Sequence, residues 1–232
     1  LPEELASQFL GGNGFGTKIL WDEVGLDVDP LSPQNKLIFA TGPLTGTIFP
    51  TAGRLEVITK SPLTGVYGDA NAGGHFTPEL KRSGFDMIVF EGRSPKPVYL
   101  WVHNGEAEIR DASNVWGKGT HETETILRSD IGDSRVQVAS IGPAGENLVR
   151  YAAVMTHGCA AARAGVGCVM GSKNLKAVAA LGSLEIPIAK RDEYLKACLD
   201  AQKEILKNSF TPGLSRFGTP QLSVPMSEVG RV

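Results

Sequence analysis

The second half of the chain repeats the order of local patterns seen in the first half, and this repetition is the strongest constraint on its fold. A glycine-rich stretch at 71–74 precedes an apolar run at 86–92. A similar stretch at 164–167 precedes a related run at 176–182. We interpret the pattern as a diverged internal duplication; chance similarity between two strand–helix–strand units is the alternative. A duplication predicts that the two glycine-rich segments face one site from two sides.

Three predicted strands end in turns that contain proline and glycine. The strands at 36–40 and 54–59 each run into the tetrapeptide Pro-Leu-Thr-Gly. A third strand at 135–140 ends in Gly-Pro-Ala-Gly. Proline lacks an amide donor and glycine accepts positive φ, so both residues end regular structure. The chain is therefore predicted to change direction directly after each strand.

Local signals also predict a hairpin and two helices between and within the halves. Two apolar runs within 98–110 flank Asn-Gly, the dipeptide favoured in two-residue hairpin turns. A helix is predicted from Thr120 to Asp130, with Thr120 as its N-cap. A shorter helix is predicted at 77–81, with Pro78 at its first position and a glycine at its end.

Near residue 188 the pattern of the sequence changes from short apolar runs to apolar residues at helical spacing. A helix is predicted from 190 to 208 because apolar residues recur there at helical spacing. The stretch from 211 to 232 shows no such pattern and is predicted to be irregular. We therefore predict that residues 1–187 form one domain and that residues 188–232 begin a second, helical one.

The composition is that of an ordinary globular protein and excludes several classes. Hydrophobic residues make up 41% and charged residues 21% of the 232 residues, which is enough for a buried core. The formal net charge of −2 excludes a basic footprint for nucleic acid or anionic lipid. No apolar run approaches the ~20 residues that span a bilayer. We expect neither a nucleic-acid partner nor a membrane partner.

The cysteine and glycine content further restricts the cellular compartment and the kinds of site that are expected for this chain. The three cysteines are odd in number and widely spaced, which indicates a reducing compartment and a cytoplasmic location. No Cys-x-x-Cys pair occurs, which excludes a self-contained four-cysteine iron–sulfur or zinc site in this segment. Glycine accounts for 28 residues, above the usual share of about 7%. Many glycines in a packed domain indicate tight turns or a close approach of the backbone to another group.

The run from Gly165 to Gly171 approaches the fingerprint of a dinucleotide-binding loop but departs from it twice. Its third glycine comes one position late, and the alanine-rich stretch 159–163 precedes it instead of a strand. A glycine-rich loop before a helix binds phosphate through exposed N–H groups. A helix that needs small residues for close packing is the alternative. The residues alone leave both interpretations open.

Two polar residues are candidates for binding an anionic group or its counter-ion. Arg54 stands at the head of an alternating strand; most such arginines are surface residues, but the forked guanidinium also suits phosphate. Asn71 lies in a series of small residues at 69–75, predicted as a loop, and its amide oxygen suits Mg²⁺. An asparagine in a left-handed turn is the alternative. His75 has no partner at ligand spacing and is expected to be structural.

Motifs alone therefore predict a glycine-rich α+β domain that binds a phosphorylated cofactor. Seven segments, collinear from about Leu1 to Pro187, together resemble the tungsten-containing aldehyde:ferredoxin oxidoreductase family. Each motif is modest, but seven of them in order make a specific signal. The segments lie at 29–33, 40–46, 53–65, 70–81, 109–118, 140–147 and 165–176.

The resemblance implies an internally duplicated, β-rich domain of the α+β class, followed by the start of a helical domain. Such a domain forms the base for a tungsten bis-pyranopterin cofactor of the molybdopterin type. By position, Arg54 would lie between the pterin and a [4Fe–4S] cluster. Asn71 and the backbone carbonyl of Ala161 would lie beside the Mg²⁺ that bridges the pterin phosphates. The other residues placed against the pterins are Ala72, Gly73, Ala160, Ala162, Arg163 and Gly165. The stretch 159–164 departs from the usual family pattern, being one residue shorter with one arginine fewer.

The same resemblance implies a parent enzyme that oxidises an aldehyde to a carboxylate and passes electrons through the cluster to ferredoxin. The cluster cysteines and the catalytic acid and base would lie beyond residue 232. The chain is therefore expected to hold no catalytic residue and to be inactive alone. Its partners would be the aldehyde, ferredoxin and the remaining domains, and a homo-oligomer stays open. The alternatives are a relative that acts on an aromatic thioester or another oxo compound, or a non-catalytic cofactor-binding subunit of a larger complex.

Overall fold

The computed structural model describes residues 3–230. The chain divides into two compact units. The larger unit comprises Leu1–Thr47 and Thr51–Ile186, and the smaller unit comprises Ile48–Pro50 and Pro187–Val232. All the candidate cofactor residues lie in the larger unit. Within the described residues, no helix is long and apolar enough to cross a bilayer.

The first sheet has four antiparallel strands and is formed by the first half of the chain. Two helices precede it, and a third separates its last two strands. The elements are α1 (Glu3–Gln8), α2 (Asn13–Glu23), β1 (Leu37–Ala40), β2 (Leu55–Lys60), β3 (Tyr67–Ala72), α3 (Phe76–Arg82) and β4 (Met87–Phe90). The order across the sheet is β3-β2-β1-β4. Leu37 pairs with Thr59 on one side and with Phe90 on the other.

The second sheet has six strands. The elements are β5 (Val98–His103), β6 (Glu106–Asp111), α4 (Thr120–Ile131), β7 (Gln137–Ser140), α5 (Pro143–Glu146), β8 (Val154–Thr156), β9 (Cys159–Ala161), α6 (Val166–Ser172) and β10 (Leu175–Leu181). The order across the sheet is β6-β5-β10-β7-β8-β9. Strands β5 and β10 run parallel, and the other neighbours run antiparallel.

The two halves share one topology. The succession β1, β2, β3, α3, β4 recurs as β7, β8, β9, α6, β10. The order β3-β2-β1-β4 corresponds to β9-β8-β7-β10, and the three pairings are antiparallel in both. Chance similarity of short runs does not reproduce three pairings and a helix, so the predicted duplication is confirmed. The repeated unit has three strands before its helix, and the hairpin β5–β6 is an addition at the edge of β10.

One hydrophobic core joins the two sheets. Helix α3 contacts β7 and β10 of the second sheet, whereas α6 contacts all of β1, β2 and β3 in the first. Phe76 and Leu80 of α3, together with Val169 and Met170 of α6, lie in the same buried cluster as Phe39. Fully burying a side chain of this size stabilises the fold by about 1.5–3 kcal/mol. Each repeat therefore anchors its helix against the sheet of the other repeat.

Most local predictions hold, but two assignments of single residues at helix N-termini are wrong. Asn104 and Gly105 adopt φ of 45° and 89°, as a two-residue type I′ turn requires, so the hairpin is confirmed. Helix α4 begins at Thr120, but its N-cap is Gly119, and the capping role predicted for Thr120 is wrong. Pro78 is the third residue of α3 and not the first. Its ring is tolerated there because the first N–H groups of a helix have no partner within the helix.

The smaller unit is helical. It contains α7 (Arg191–Lys207), α8 (Thr211–Phe217), a 3₁₀ turn (Thr219–Leu222) and α9 (Ser223–Glu228). Helix α7 confirms the helix predicted at 190–208. The irregular stretch predicted from 211 is wrong up to residue 228, because proline stands at the start of α8 and of the 3₁₀ turn, where it favours helical structure. The last two residues of that stretch lie outside the described residues.

Candidate cofactor site

The first glycine-rich segment lies where the outermost strands of the two sheets contact each other. These strands are β3 and β9. The carbonyl oxygen of Gly73 accepts a hydrogen bond from the Thr156 hydroxyl at 3.2 Å. A Cβ atom added to Gly74 would lie 3.7 Å from that hydroxyl oxygen and 3.8 Å from Cys159 Sγ. The first glycine-rich segment thus contacts the β8–β9 hairpin of the second repeat, whereas its predicted meeting with residues 164–167 stays a prediction.

Glycine at position 68 of β3 is required by a contact with the segment that follows β9. A Cβ atom added to Gly68 would lie 2.4 Å from the Cβ of Ala164, far inside van der Waals contact. Ala72 is buried, whereas Asn71 is exposed, as expected for alternating faces of a strand. The loop predicted from residue 69 onward is thus wrong up to Ala72. Gly68 thus lets the segment after β9 approach strand β3 closely.

Arg54 and Asn71 are joined by a hydrogen bond at the end of β2. Arg54 Nη1 donates to Asn71 Oδ1 at 2.5 Å. Arg54 precedes β2 directly, and Asn71 lies in β3 opposite Glu56, so antiparallel pairing brings the two side chains together. Both are exposed. The ion pairs that arginines form within residues 3–230 do not include Arg54, which leaves its charge available to a ligand.

A carboxyl group lies beside this pair. Oε2 of Glu56 is buried and has no hydrogen-bond partner among the described residues. Burial raises the pKa of the Glu56 carboxyl, the negative charge of Asp69 raises it further, and the positive charge of Arg54 opposes both. Buried polar atoms in native folds are almost always paired. An orphaned oxygen at this position fits an edge that is completed by a polar ligand.

Strand β9 offers backbone groups and small side chains. Ala161 is fully buried, backbone included. Ala160, Ala162 and Arg163 are exposed. Arg163, like Arg54, takes no part in the ion pairs formed by arginines in the described part of the chain. Each glycine-rich segment therefore carries one nearby arginine that is free to compensate an anion.

Close packing of α6 against the backbone at Ala153 and against α5 explains the glycines at 167 and 171. A Cβ atom added to Gly167 would lie 2.5 Å from the carbonyl oxygen of Ala153, and one added to Gly171 would lie 1.9 Å from that of Gly145. The N–H of Gly167 already donates to a backbone carbonyl at 3.0 Å, and the next two N–H groups donate to Gly165. Of the two interpretations left open above, the structure supports the packing role for Gly167 and Gly171.

The other candidate ligand side chains are a histidine and three cysteines, and each has a defined place in the fold. His75 occupies the N-cap position of α3. The three cysteines are free thiols, one half-buried and two buried. Within residues 3–230, no group of three or more histidine, cysteine, aspartate or glutamate side chains is arranged to hold a metal ion.

The residues at the β3–β9 edge fit a cofactor that carries phosphate. Glycine backbone N–H groups and permanent cations bind phosphate in proteins, and this edge offers Gly73, Gly74, Arg54 and Arg163. The amide oxygen of Asn71 suits a hard cation such as Mg²⁺. A Cβ atom at either glycine would make only ordinary van der Waals contact with the second repeat, and the φ of 97° at Gly74 is the feature that favours glycine there. The donor groups therefore match an anionic cofactor with a bridging cation.

No sequence pattern identifies Thr156 as a residue of this edge. Thr156 ends a strand of three residues, which is too short for an alternating pattern to be detected. Its partner Gly73 is 83 positions away. Only the tertiary contact reveals that the two residues touch.

A family model described as "Aldehyde ferredoxin oxidoreductase, N-terminal domain" matches residues 1–182. The chain belongs to the aldehyde ferredoxin oxidoreductase family. The resemblance drawn from the seven motifs is confirmed, and with it the membership of an oxidoreductase enzyme family. The duplicated α+β fold observed here is the N-terminal domain fold of that family.

Individual relatives agree with the aldehyde ferredoxin oxidoreductase assignment. The tungsten-containing aldehyde ferredoxin oxidoreductase of Pyrococcus abyssi is 51% identical over 98% of this chain. The WOR-like subunit of the aliphatic sulfonate oxidoreductase of Pyrococcus furiosus is 39% identical over 91% of it. A solved chain from the active-site complex BamBC of benzoyl coenzyme A reductase, in complex with 1,5-dienoyl-CoA, is 44% identical with a TM-score of 0.86 over 90% of this chain. The present chain spans 38%, 36% and 32% of these three proteins respectively.

Proposed function

We propose that this domain holds the cofactor of a tungstopterin oxidoreductase that oxidises aldehydes to carboxylic acids with ferredoxin as the electron acceptor. The observation that carries the proposal is the Arg54–Asn71 hydrogen bond, at the edge where β3 of the first repeat lies against β9 of the second. The name of the Pyrococcus abyssi relative supports tungsten as the metal and an aldehyde as the substrate.

Each polar residue of the edge has a role that its chemistry supports. Arg54 and Arg163 are permanently protonated and offset the negative charge of a phosphorylated cofactor. Asn71 Oδ1 has two lone pairs, so it can accept the Arg54 hydrogen bond and still act as a ligand of Mg²⁺. The backbone carbonyl of Ala161 is the second Mg²⁺ ligand in this proposal, as the resemblance to the family implies.

The remaining contacts are proposed to be made by the backbone and by small side chains. Residues without bulky side chains let the pterins approach the main chain, where N–H groups are available to phosphate oxygens. These residues are Ala72, Gly73, Ala160, Ala162 and Gly165. When bound, the tungsten centre supplies the redox chemistry, and the chain supplies binding, orientation and charge compensation.

The proposal assigns no catalytic acid or base to these 232 residues. Residues 1–187 would form the tungstopterin-binding domain, and residues 188–232 would be the first helices of the next domain. The [4Fe–4S] cluster would be held by cysteines outside this chain, and the three free thiols support a reducing, cytoplasmic location. Ferredoxin would then accept electrons from the complete enzyme and not from this segment.

The test is to purify the protein from cells supplied with tungstate and to measure metal and pterin together. Tungsten and pterin in the ratio required by a bis-pterin cofactor are the expected result. A protein that retains neither contradicts the proposal. The 232-residue chain alone is expected to oxidise no aldehyde, and turnover by it would show that a catalytic residue lies within this segment.

A second candidate function keeps the cofactor and changes the substrate. It is favoured by the solved relative from benzoyl coenzyme A reductase, which is bound to a dienoyl thioester and is 44% identical to this chain. The enzyme would then act on an aromatic thioester or another oxo compound. A third option, a cofactor-binding subunit without activity of its own, is favoured by the subunit name of the sulfonate relative. Assaying the complete protein with aldehydes and with aromatic thioesters, side by side, separates the three.

A further inference from the structure

One buried hydroxyl ties the β8–β9 hairpin of the second repeat to the first repeat. Thr156, the last residue of β8, is 1% exposed, and its Oγ1 donates to the Gly73 carbonyl oxygen at 3.2 Å. A carbonyl buried against this hydroxyl would lose its partner if the hydroxyl were removed, and an unpaired buried acceptor costs more than a hydrogen bond normally contributes. The bond therefore links the glycine-rich segment of the first repeat directly to the β8–β9 hairpin of the second repeat.

The backbone at Gly73 and Gly74 rests on two side chains of the second repeat. Thr156 pairs with Cys159 across the hairpin. A Cβ atom added to Gly73 would lie 3.9 Å from Cys159 Sγ, and one added to Gly74 would lie 3.7 Å from Thr156 Oγ1. Gly74 also adopts a φ of 97°, which favours glycine. The hairpin is thus in contact with this stretch of main chain and not merely near it.

The hairpin has a second anchor at its tip. His157 Nδ1 lies 3.3 Å from Glu124 Oε1, and Arg128 Nη2 lies 2.6 Å from the same oxygen. Glu124 is a buried residue of α4, a helix that contacts β7. The tip is therefore held from the helix side while Thr156 reaches the first repeat. A hairpin fixed at both places presents the Thr156 hydroxyl in a defined position.

The hydrogen bond sets the orientation of the peptide group between Gly73 and Gly74. A trans peptide is planar, so its C=O and N–H point in opposite directions, and the described residues contain no cis peptide. With the Gly73 carbonyl directed at Thr156, the Gly74 N–H points away from it. No acceptor for this N–H is found within residues 3–230.

We propose that Thr156 is a positioning residue that turns the Gly73–Gly74 peptide so that the Gly74 N–H is presented to an anionic oxygen of the cofactor. The inference rests on the proposed function, since a phosphate oxygen is the acceptor that such a main-chain donor suits. A donor that is oriented beforehand binds more tightly, because less conformational freedom is lost on binding. Thr156 thus strengthens cofactor retention without touching the cofactor.

The experiment compares three variants of the holoenzyme. Thr156→Val removes the hydroxyl and keeps the shape, and Thr156→Ser keeps the hydroxyl. Thr41→Val is the matched control, because Thr41 is 2% exposed and its hydroxyl donates to the Asp86 carbonyl at 3.0 Å, away from the edge. The rate of tungsten and pterin release is measured in the presence of a chelator, together with the melting temperature.

Thr156→Val is expected to release the cofactor about five- to thirtyfold faster than the wild type, which corresponds to the loss of one buried hydrogen bond. Thr156→Ser is expected to release it at close to the wild-type rate. Thr41→Val is expected to lower the melting temperature by a similar amount and to leave the release rate unchanged. Equal release from the two valine variants would overturn the inference and leave the proposed function standing. A wild-type protein without tungsten and pterin would refute the proposed function instead.

A measurement on the wild type keeps the inference testable if Thr156→Val does not fold. Hydrogen exchange at the Gly74 amide is compared in the protein with and without its cofactor. Exchange that slows when the cofactor is bound supports a hydrogen bond from this N–H to the cofactor. Exchange at the same rate in both forms overturns the inference.

Discussion

Replacing Gly171 by alanine tests whether α5 and α6 pack as closely as the structure shows. In an isolated helix this change is stabilising by about 0.5–1 kcal/mol, because glycine loses more conformational freedom on folding. Here the new Cβ atom would lie 1.9 Å from the carbonyl oxygen of Gly145, a backbone atom that no side-chain rotation can remove. Ordinary contact begins at 3.4 Å, so the two helices must separate by about 1.5 Å.

Because the two packed helices are forced apart, the substitution is expected to destabilise the fold, whereas in an isolated helix it would be stabilising. Overpacking costs about 1–3 kcal/mol and occasionally more, and the upper end applies because both clashing groups are backbone or Cβ. We expect Gly171→Ala to lower the free energy of unfolding by about 3 kcal/mol. At this size the melting temperature then falls by roughly 6–12 °C.

The assay is thermal unfolding followed by circular dichroism, confirmed by urea titration. Gly14→Ala is the matched control, because Gly14 also lies in a helix and its added Cβ atom would meet only the side chain of Phe9, at 3.3 Å. The control is expected to change the unfolding free energy by less than about 1 kcal/mol. A Gly171→Ala protein as stable as the wild type would refute the close packing of α5 on α6.

Three further outcomes are expected. Burial lowers the pKa of Lys173 to about 8 from 10.5, so the unfolded chain binds the extra proton between these values. The free energy of unfolding should rise with pH across this window, by up to about 3 kcal/mol, and Lys173→Met should remove the slope in urea titrations. Arg54→Gln should lower tungsten and pterin retention about tenfold at unchanged melting temperature, while Arg93→Gln, an exposed arginine outside the edge, should change neither. Glu146→Gln should cost about 3–5 kcal/mol because it leaves the fully buried ammonium of Lys176 without its charge partner, and adding Lys176→Met to that variant should restore part of the loss.

Local patterns in the sequence were sufficient for elements whose signal lies within a few residues. The Asn104-Gly105 turn is an example, because two positive φ values are needed there and those two residue types tolerate them. Helix α7 is another, since its apolar residues recur at the helical period. The motif order also identified the family, because collinear segments resist chance matching.

Glycine and alanine were the residues that local reasoning misjudged. A series of small residues at 69–72 has the composition of a loop, yet these residues belong to strand β3, which pairs antiparallel with β2. The same ambiguity affected Gly167 and Gly171, whose missing side chains serve helix packing. A small residue in a packed fold indicates that another group lies close to the backbone. The sequence does not show whether that group is a ligand, a helix or a strand.

The sequence by its own pattern fixed the family, the duplication and the positions of most strands and helices. The tertiary structure decided which residues form the candidate site. Arg54 meets Asn71 because β2 and β3 pair in one register, and Gly73 meets Thr156 because two sheets place their outermost strands side by side. Periodicity is set by neighbouring residues along the chain, whereas contacts between distant residues depend on register and on packing across the core, for which a single sequence carries no local signal.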